Sequence, residues 1–312
     1  MSNRTLPRIL QTPAVVLLLI WMLVPLSMTL YFSFIRYVLN STIRPEWTTP
    51  ALSNWRGFGN YKYVLDAKDF WFAIQNSVLI VSSILVITVV LGLGIAVLIN
   101  RSFPGRGIVR VLLISPFFVM PAVNAVLWIN MILDPVLGLN GLAVAGLNDI
   151  IDGLRDWPVI GSFFAMWPQI EPISFRATQT SAYAVIMMVA WQWTPFAVLI
   201  FMTSLQSEDE SQKEAATLDG ASPWSQFINL TVPHLARPIA IVVMIQSIFH
   251  LSLYAEIEIV SRGNGNKNLP YLIGEFTSNN IGAASATGIF AVILANIIAI
   301  FLLRMVGKSL MD

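Results

Sequence analysis

The chain has 312 residues, of which 56% are hydrophobic and only 11% charged, with a formal net charge of +1 and a mean hydropathy of +0.72. Soluble domains carry about a quarter charged residues, so this composition excludes an ordinary soluble domain, a disordered chain and a nucleic-acid-binding surface. Cysteine is absent, which excludes a disulfide framework, a thiolate zinc site and a cysteine nucleophile.

Six uncharged apolar runs predict membrane spans, at residues 14–35, 78–99, 111–133, 183–205, 239–255 and 281–303. At about 1.5 Å rise per residue, a run of about 22 residues reaches roughly 33 Å, enough to cross a bilayer with some tilt. The first run follows Arg4 and Arg8, but its apolar part is too long for a secretory signal and no small-residue cleavage site follows. It reads as a retained anchor. The fifth run is the shortest and can lengthen only by taking in Glu256 and Glu258, so its far end is expected at a headgroup layer or a polar cavity. The expected fold is an all-α membrane protein, a single transmembrane domain over residues 1–312 with no repeat and no soluble domain.

Six spans put both termini on one side. If that side is the cytoplasm, Arg4, Arg8, Arg101, Arg106, Arg110, Lys213, Arg237, Arg304 and Lys308 lie inside, half of the 18 basic residues. The inside segments are much the shorter, and basic residues near span ends dominate orientation. Cytoplasmic termini are therefore expected. Two sizeable segments, 36–76 and 134–182, then lie outside. The first carries Tyr61, Phe70, Trp71 and Phe72, the second Trp157, Phe163, Phe164 and Trp167. These aromatics suit the headgroup belt, and they equally suit a docking platform for an external protein.

The segment 205–238, between the fourth and fifth runs, reads as helix, break, helix. Ser207 with Glu210 three residues on forms a capping box, and Glu208, Asp209 and Glu210 suit the positive end of a helix. Gly220 after Asp219 can close that helix in a left-handed conformation. Ser222 and Pro223 are then the cap and first position of a second short helix, and Pro233 is expected to stop it. A solvated loop with well-made caps accounts for the pattern, and so does a helix pair inserted into another protein's groove.

Its wording is more specific. Glu214, Ala215, Ala216, Asp219, Gly220, Ala221, Phe227 and Pro233, with Leu230 and Val232 as branched apolar residues, resemble the loop of binding-protein-dependent ABC importer permeases, carbohydrate branch. Gly59-Asn60-Tyr61, Phe70-Trp71, Arg106-Gly107, Asp134-Pro135 with Gly138, and Trp191 with Pro195 extend the likeness to the maltose and glycerol-phosphate permeases, first-subunit type. Residues 262–267 depart from it, since many relatives have a Gly-Gly-Gly-Pro turn there.

The resemblance implies a type I ABC importer permease with six transmembrane helices in a bacterial inner membrane. It would form half of a sugar or polyol translocation path with a second permease subunit. An ATPase dimer would dock on the coupling loop through Glu214, Ala215, Ala216, Asp219, Gly220, Ala221 and Pro233, and a periplasmic sugar-binding protein would deliver the cargo. ATP and Mg would belong to the ATPase, and no cofactor is expected in this chain. Its own sequence agrees, because it contains no Gly-x-x-x-x-Gly-Lys-Ser/Thr phosphate loop.

Polar or flat aromatic residues inside spans are the candidates for the substrate path, since a polar group in lipid needs a partner or water. They are Asn124, Trp128 and Asn130, then Trp191, Gln192, Trp193 and Phe196, then Gln246, His250 and Asn296. Gln246 and His250 are four apart and share a helix face. Position relative to the coupling loop, read through the resemblance, favours Trp193, Phe196, Gln246 and His250, with Gln192 and Asn124 beside them. Asn124 and Asn296 fit helix-to-helix hydrogen bonds, and Trp128 and Trp191 fit packing, at least as well. His234 and His250 lie in different segments, so no metal site is expected. A secondary transporter or channel would need a carboxylate or pore ring within the spans, and an intramembrane enzyme would need more than a lone histidine. Neither is present.

Overall fold

In an apolar solvent the backbone must satisfy its own polar groups, and helices do so within a single segment. The computed structural model, which describes residues 5–37 and 57–311, is built from helices accordingly. They are α1 (Thr5–Ser33), α2 (Gly59–Asp66), α3 (Lys68–Asn100), α4 (Arg106–Ile114), α5 (Pro121–Leu127), α6 (Leu139–Arg155), α7 (Gly161–Phe164) and α8 (Ser181–Leu205). There follow α9 (Glu210–Leu218), α10 (Pro223–Gln226), α11 (Val232–His234), α12 (Ala236–His250), α13 (Ala255–Ser261), α14 (Leu269–Thr277) and α15 (Ile281–Met311). Arg4 and residues 38–56 of the first outer segment lie outside the described residues.

Among the described residues, four continuous helical stretches are long and apolar enough to cross a bilayer: Leu10–Ser33, Lys68–Asn100, Ser181–Leu205 and Ile281–Phe301. The third and fifth expected spans are bent pairs instead. Arg106–Phe118 meets Pro121–Ile132 at 103°, and Pro223–His234 meets Ala236–His250 at 56°. Six spans result when each pair counts as one. The first bend has a cause visible in the sequence: Pro116 sits in a 3-10 turn over Ser115–Phe118, and Pro121 starts α5, so neither can donate to the preceding turn. The continuous run at 111–133 concealed this. Two outer boundaries also move. α3 begins at Lys68, well before the apolar run, and the segment 134–182 contains α6 and α7 rather than plain loop.

The chain divides into two compact units. The smaller comprises described residues up to 74 together with 269–296. Its core joins Val64, Phe70, Ala73, Leu269, Leu272, Ala283 and Ala286, and the ring of Phe290 packs on those of Phe70 and Tyr61 at 5.0 and 5.8 Å. Asn60 Nδ2 donates to the Ser33 and Ile35 carbonyls at 2.9 and 2.8 Å, closing the end of α1. Within the apolar α1, the Ser27 and Thr29 hydroxyls bond back to the Leu23 and Pro25 carbonyls. The Gly59-Asn60-Tyr61 motif thus has a structural use.

The larger unit comprises residues 75–268 and 297–311. α8 is its central helix and the most buried of the continuous spans. Ala96 and Ile99 of α3, Val198, Phe201 and Leu205 of α8, Leu235 just before α12 and Val242 of α12 form one cluster. A Cβ added to Gly92 would stand 2.7 Å from the Ala197 Cβ, so glycine lets α3 and α8 approach closely. After the third span the polar face of α6 holds the returning chain: Asn148 exchanges two 2.9 Å bonds with the Ile170 backbone, and Asn140 donates to the Ile173 carbonyl at 2.8 Å. The Phe163, Phe164 and Trp167 rings cluster beside it.

Candidate coupling loop and translocation site

The segment between α8 and α12 folds as helix, turn, helix. Asp209, and not Ser207, caps α9: its carboxylate accepts the Ser211 backbone N–H at 2.9 Å. Hydrogen bonds from the Ser211 side chain and backbone hold the Asp209 carboxyl below its usual 3.8. The expected capping box fails because its neighbours have other partners. Ser207 Oγ donates to the Ser204 carbonyl at 2.8 Å, and Glu208 pairs with Lys213 at 2.8 Å and accepts Thr231 Oγ1 at 2.9 Å.

The other end closes as the sequence suggests. Gly220 has φ +79°, its N–H reaches the Thr217 carbonyl at 3.0 Å, and the Ala221 N–H reaches that of Ala216 at 2.9 Å. That pair of bonds is the Schellman closure. Ser222 then caps α10, with Pro223 at its first position. Gln226 Nε2 donates to Thr217 Oγ1 and the Ala221 carbonyl, both at 3.0 Å, and so clasps the two helices together. Pro233 lies inside α11, so the helix runs past it and breaks at Leu235. Glu214 and Ala215 are exposed, and the apolar side chains at the tip are exposed too: Leu218 by 89% and Trp224 by 71%. The tip is thus apolar, exposed and held firmly by its own hydrogen bonds.

Inside the bundle, Trp193 is the centre of a ring cluster. Phe117, Phe196, Phe249 and His250 lie 5.4, 5.9, 5.0 and 5.0 Å from it, centroid to centroid, and Phe117 stacks on Phe196 at 5.8 Å. Trp193 and Phe196 are three apart on α8, Gln246 and His250 four apart on α12, so each pair follows one helix face. Gln246 is buried: it accepts Thr88 Oγ1 at 2.7 Å and donates to the Trp193 carbonyl at 3.3 Å, tying α3, α12 and α8. His250 is also buried, and neither ring nitrogen has a hydrogen-bond partner. Gln192 faces elsewhere. It accepts Asn124 Nδ2 at 3.0 Å and donates to the Val119 carbonyl, while Asn124 also reaches the Met188 carbonyl at 3.1 Å.

Trp128 and Trp191 pack edge to face at 5.8 Å, and Asn130 accepts from Arg176 at 2.8 Å. Asn296 is exposed and bonds to Val292 of its own helix rather than to another helix. Phe117, Phe249 and Thr88 escaped the sequence reading. Phe117 is placed by the 3-10 turn, and the adjacency of Phe249 to His250 was the one available signal for the second.

Beyond the site, Asp134 Oδ1 accepts the Leu137 and Val136 N–H groups at 2.8 and 2.9 Å, which lowers its pKa. A Cβ at Gly138 would stand 2.7 Å from the Asp134 nitrogen, so the Asp134-Pro135 and Gly138 motif is a turn device. The divergent segment 262–267 is also a tight turn. Arg262, Gly263 and Gly265 all have positive φ, and Asn264 bonds to Thr178 and Ser181.

The chain matches the family of binding-protein-dependent transport system inner membrane components over residues 88–312, which include α8, the coupling loop and α12. It belongs to that family. Among relatives of this inner membrane component is the trehalose/maltose transport system permease protein MalF of Thermococcus litoralis, 28% identical over 236 residues that cover 75% of this chain and 68% of the relative. The sn-glycerol-3-phosphate transport system permease protein UgpA of Agrobacterium fabrum is 25% identical over 318 residues, covering 98% and 96%. A bacterial alginate ABC transporter, crystallised in complex with an alginate pentasaccharide-bound periplasmic protein, has the same fold: TM-score 0.70 at 19% identity, covering 96% of this chain and 93% of that one.

Proposed function

We propose that this inner membrane component is a permease subunit of an ATP-driven importer for a sugar, sugar derivative or polyol, with both termini in the cytoplasm. One observation carries the reading: the Glu214-Ala-Ala to Pro233 segment folds into a clasped helix pair that holds exposed Leu218 and Trp224 at its tip. A cleft on an ATPase subunit is the partner such a projection suits, because Glu214 forms no ion pair among the described residues and Leu218 and Trp224 remain largely exposed. The substrates named for the trehalose/maltose and glycerol-phosphate relatives favour a hydroxyl-rich cargo.

In this reading a second permease supplies the other half of the path, two ATPase subunits bind ATP and Mg below, and a periplasmic binding protein loads cargo from above. The chain itself contributes the path. Trp193, Phe196 and Phe117 offer flat faces for the C–H edges of a sugar ring, and His250 offers nitrogens that no protein group engages. Gln246, Gln192 and Asn124 hold the helices that carry them. Affinity at such a site must be weak enough to release the cargo, so few contacts suffice. The test is co-purification. The tagged full chain, expressed with its genomic neighbours, brings down an ATPase whose recovery falls sharply in Glu214→Lys. Recovery of no ATPase, or equal recovery by the variant, contradicts the proposal.

A further inference from the structure

Two arginines on α4 have guanidinium donors without an acceptor among the described residues. Arg106 and Arg110 are partly buried, and Nε of both and Nη2 of Arg110 are shielded from solvent without a hydrogen-bond acceptor. Shielded donors left unmade are costly, and a guanidinium fork matches phosphate oxygens well. Three residues after Arg110 on the same helix face comes Leu113. It lines a groove of about 480 Å³ between α3, α4 and α8, whose walls include Leu91, Ile95, Pro116, Trp191 and Pro195. No charged side chain lines this groove, and the hydroxyl of Thr194 within it is already bonded to the Ala190 carbonyl at 2.6 Å. α4 also exposes Ile108, Val111 and Leu112, as a helix bedded in lipid does.

We propose that Arg106 and Arg110 hold the phosphate of an anionic glycerophospholipid, with one of its acyl chains lying in the groove between α3, α4 and α8. Charge complementarity selects this occupant. Unpaired guanidinium donors call for an anion, the adjoining apolar groove calls for a hydrocarbon chain, and a phospholipid carries both on one molecule. Net anionic character matters because a choline headgroup places a cation beside the same phosphate. The proposal requires α4 to lie in the membrane and is independent of cargo and ATPase, so its failure and that of the importer reading are separate results.

The test is native mass spectrometry of the purified full chain, with any subunits that accompany it, supplied with phosphatidylglycerol or phosphatidylcholine. The wild-type chain is expected to retain phosphatidylglycerol on the order of tenfold more strongly. Arg106→Gln with Arg110→Gln abolishes that preference, Arg110→Lys keeps most of it, and Leu91→Trp, which fills the groove, lowers phosphatidylglycerol retention. Equal retention of the two lipids by the wild type overturns the proposal and needs no variant to fold. So does an unchanged preference in the double variant, unchanged retention in Leu91→Trp, or displacement of the lipid by millimolar inorganic phosphate, which would mark a site for a free anion.

Discussion

Gly220 constrains the proposed coupling loop at the scale of a single residue. Its φ of +79° disfavours side chains, yet a Cβ there would touch nothing within 4 Å, so the penalty is conformational rather than steric. β-Branched residues resist this region by roughly 1–2 kcal/mol, whereas asparagine tolerates it. Gly220→Val is therefore expected to reduce substrate-stimulated ATP hydrolysis in the purified complex several-fold, and Gly220→Asn to preserve most of it. Equal loss in both variants would point to a contact of the glycine itself. Asp209 allows a pH argument. A carboxyl with a lowered folded-state pKa stabilises above its unfolded value and loses that effect only as pH falls through the folded value, here below 3.8. The α9 cap thus persists at neutral and mildly acidic pH. Coupling should survive Asp209→Asn, which keeps an acceptor, better than Asp209→Ala, as the stimulated ATPase rate across that range will show.

Residues of the proposed translocation path separate into two kinds by what surrounds them. Trp193 and His250 meet ring faces, and loss of an aromatic stack or a polar contact is worth on the order of 1 kcal/mol. Trp193→Ala and His250→Ala are expected to lower uptake several-fold while assembly and basal ATPase activity persist. Gln246→Ala removes the side-chain bonds to Thr88 and the Trp193 carbonyl that tie three helices, while the Thr88 hydroxyl keeps the Leu85 carbonyl; at about 1 kcal/mol for each lost bond, its first effect should be a lower melting temperature of the complex. Thermal unfolding and uptake measured on the same three variants distinguish the two kinds. The sequence made Gln246 and His250 legible as a pair on one face. It could not reveal that one is bonded on both sides and the other on neither, because Thr88 and the Trp193 carbonyl belong to distant segments.

At the scale of elements, span existence was legible and span shape was not. Uncharged runs of bilayer length give the helices, but the 103° bend in the third depends on how Pro116 and Pro121 divide a stretch that hydropathy reads as uniform. Local chemistry was legible where it is self-contained, as in the Gly220 closure and the Ser222–Pro223 start. The α9 cap moved from Ser207 to Asp209 because Glu208 is drawn to Lys213 and Thr231, the latter a partner 23 residues away. The contact of α3 with α8 gives an element-scale prediction. With 2.7 Å between the Ala197 Cβ and a Cβ at Gly92, Gly92→Leu must force these helices apart, and overpacking of this sort costs typically 1–3 kcal/mol. Lower thermal stability of the complex is expected, partly rescued by Ala197→Gly. Absence of that rescue would show that α3 and α8 do not meet there.

For the whole molecule, the absence of cysteine makes a topology test direct. Single cysteines replacing Ser211 and Asn279 should label from opposite sides, with position 211 protected from an impermeant reagent in intact cells. The family was legible because its loop motif is contiguous, and the same motif is the part of the molecule that folds on local rules. The aromatic cluster proposed as the path was less legible because it is assembled from α8, α12 and a 3-10 turn, with Thr88 of α3 behind it. In the proposed function this chain turns ATP hydrolysis on a partner into cargo movement through its own spans. Reconstituted with its partner subunits in proteoliposomes and offered a sugar-loaded binding protein, it is predicted to accumulate the sugar only when ATP is supplied on the ATPase side, and to lose that accumulation in Glu214→Lys. Accumulation driven by an ion gradient without ATP, or undiminished in Glu214→Lys, would contradict it.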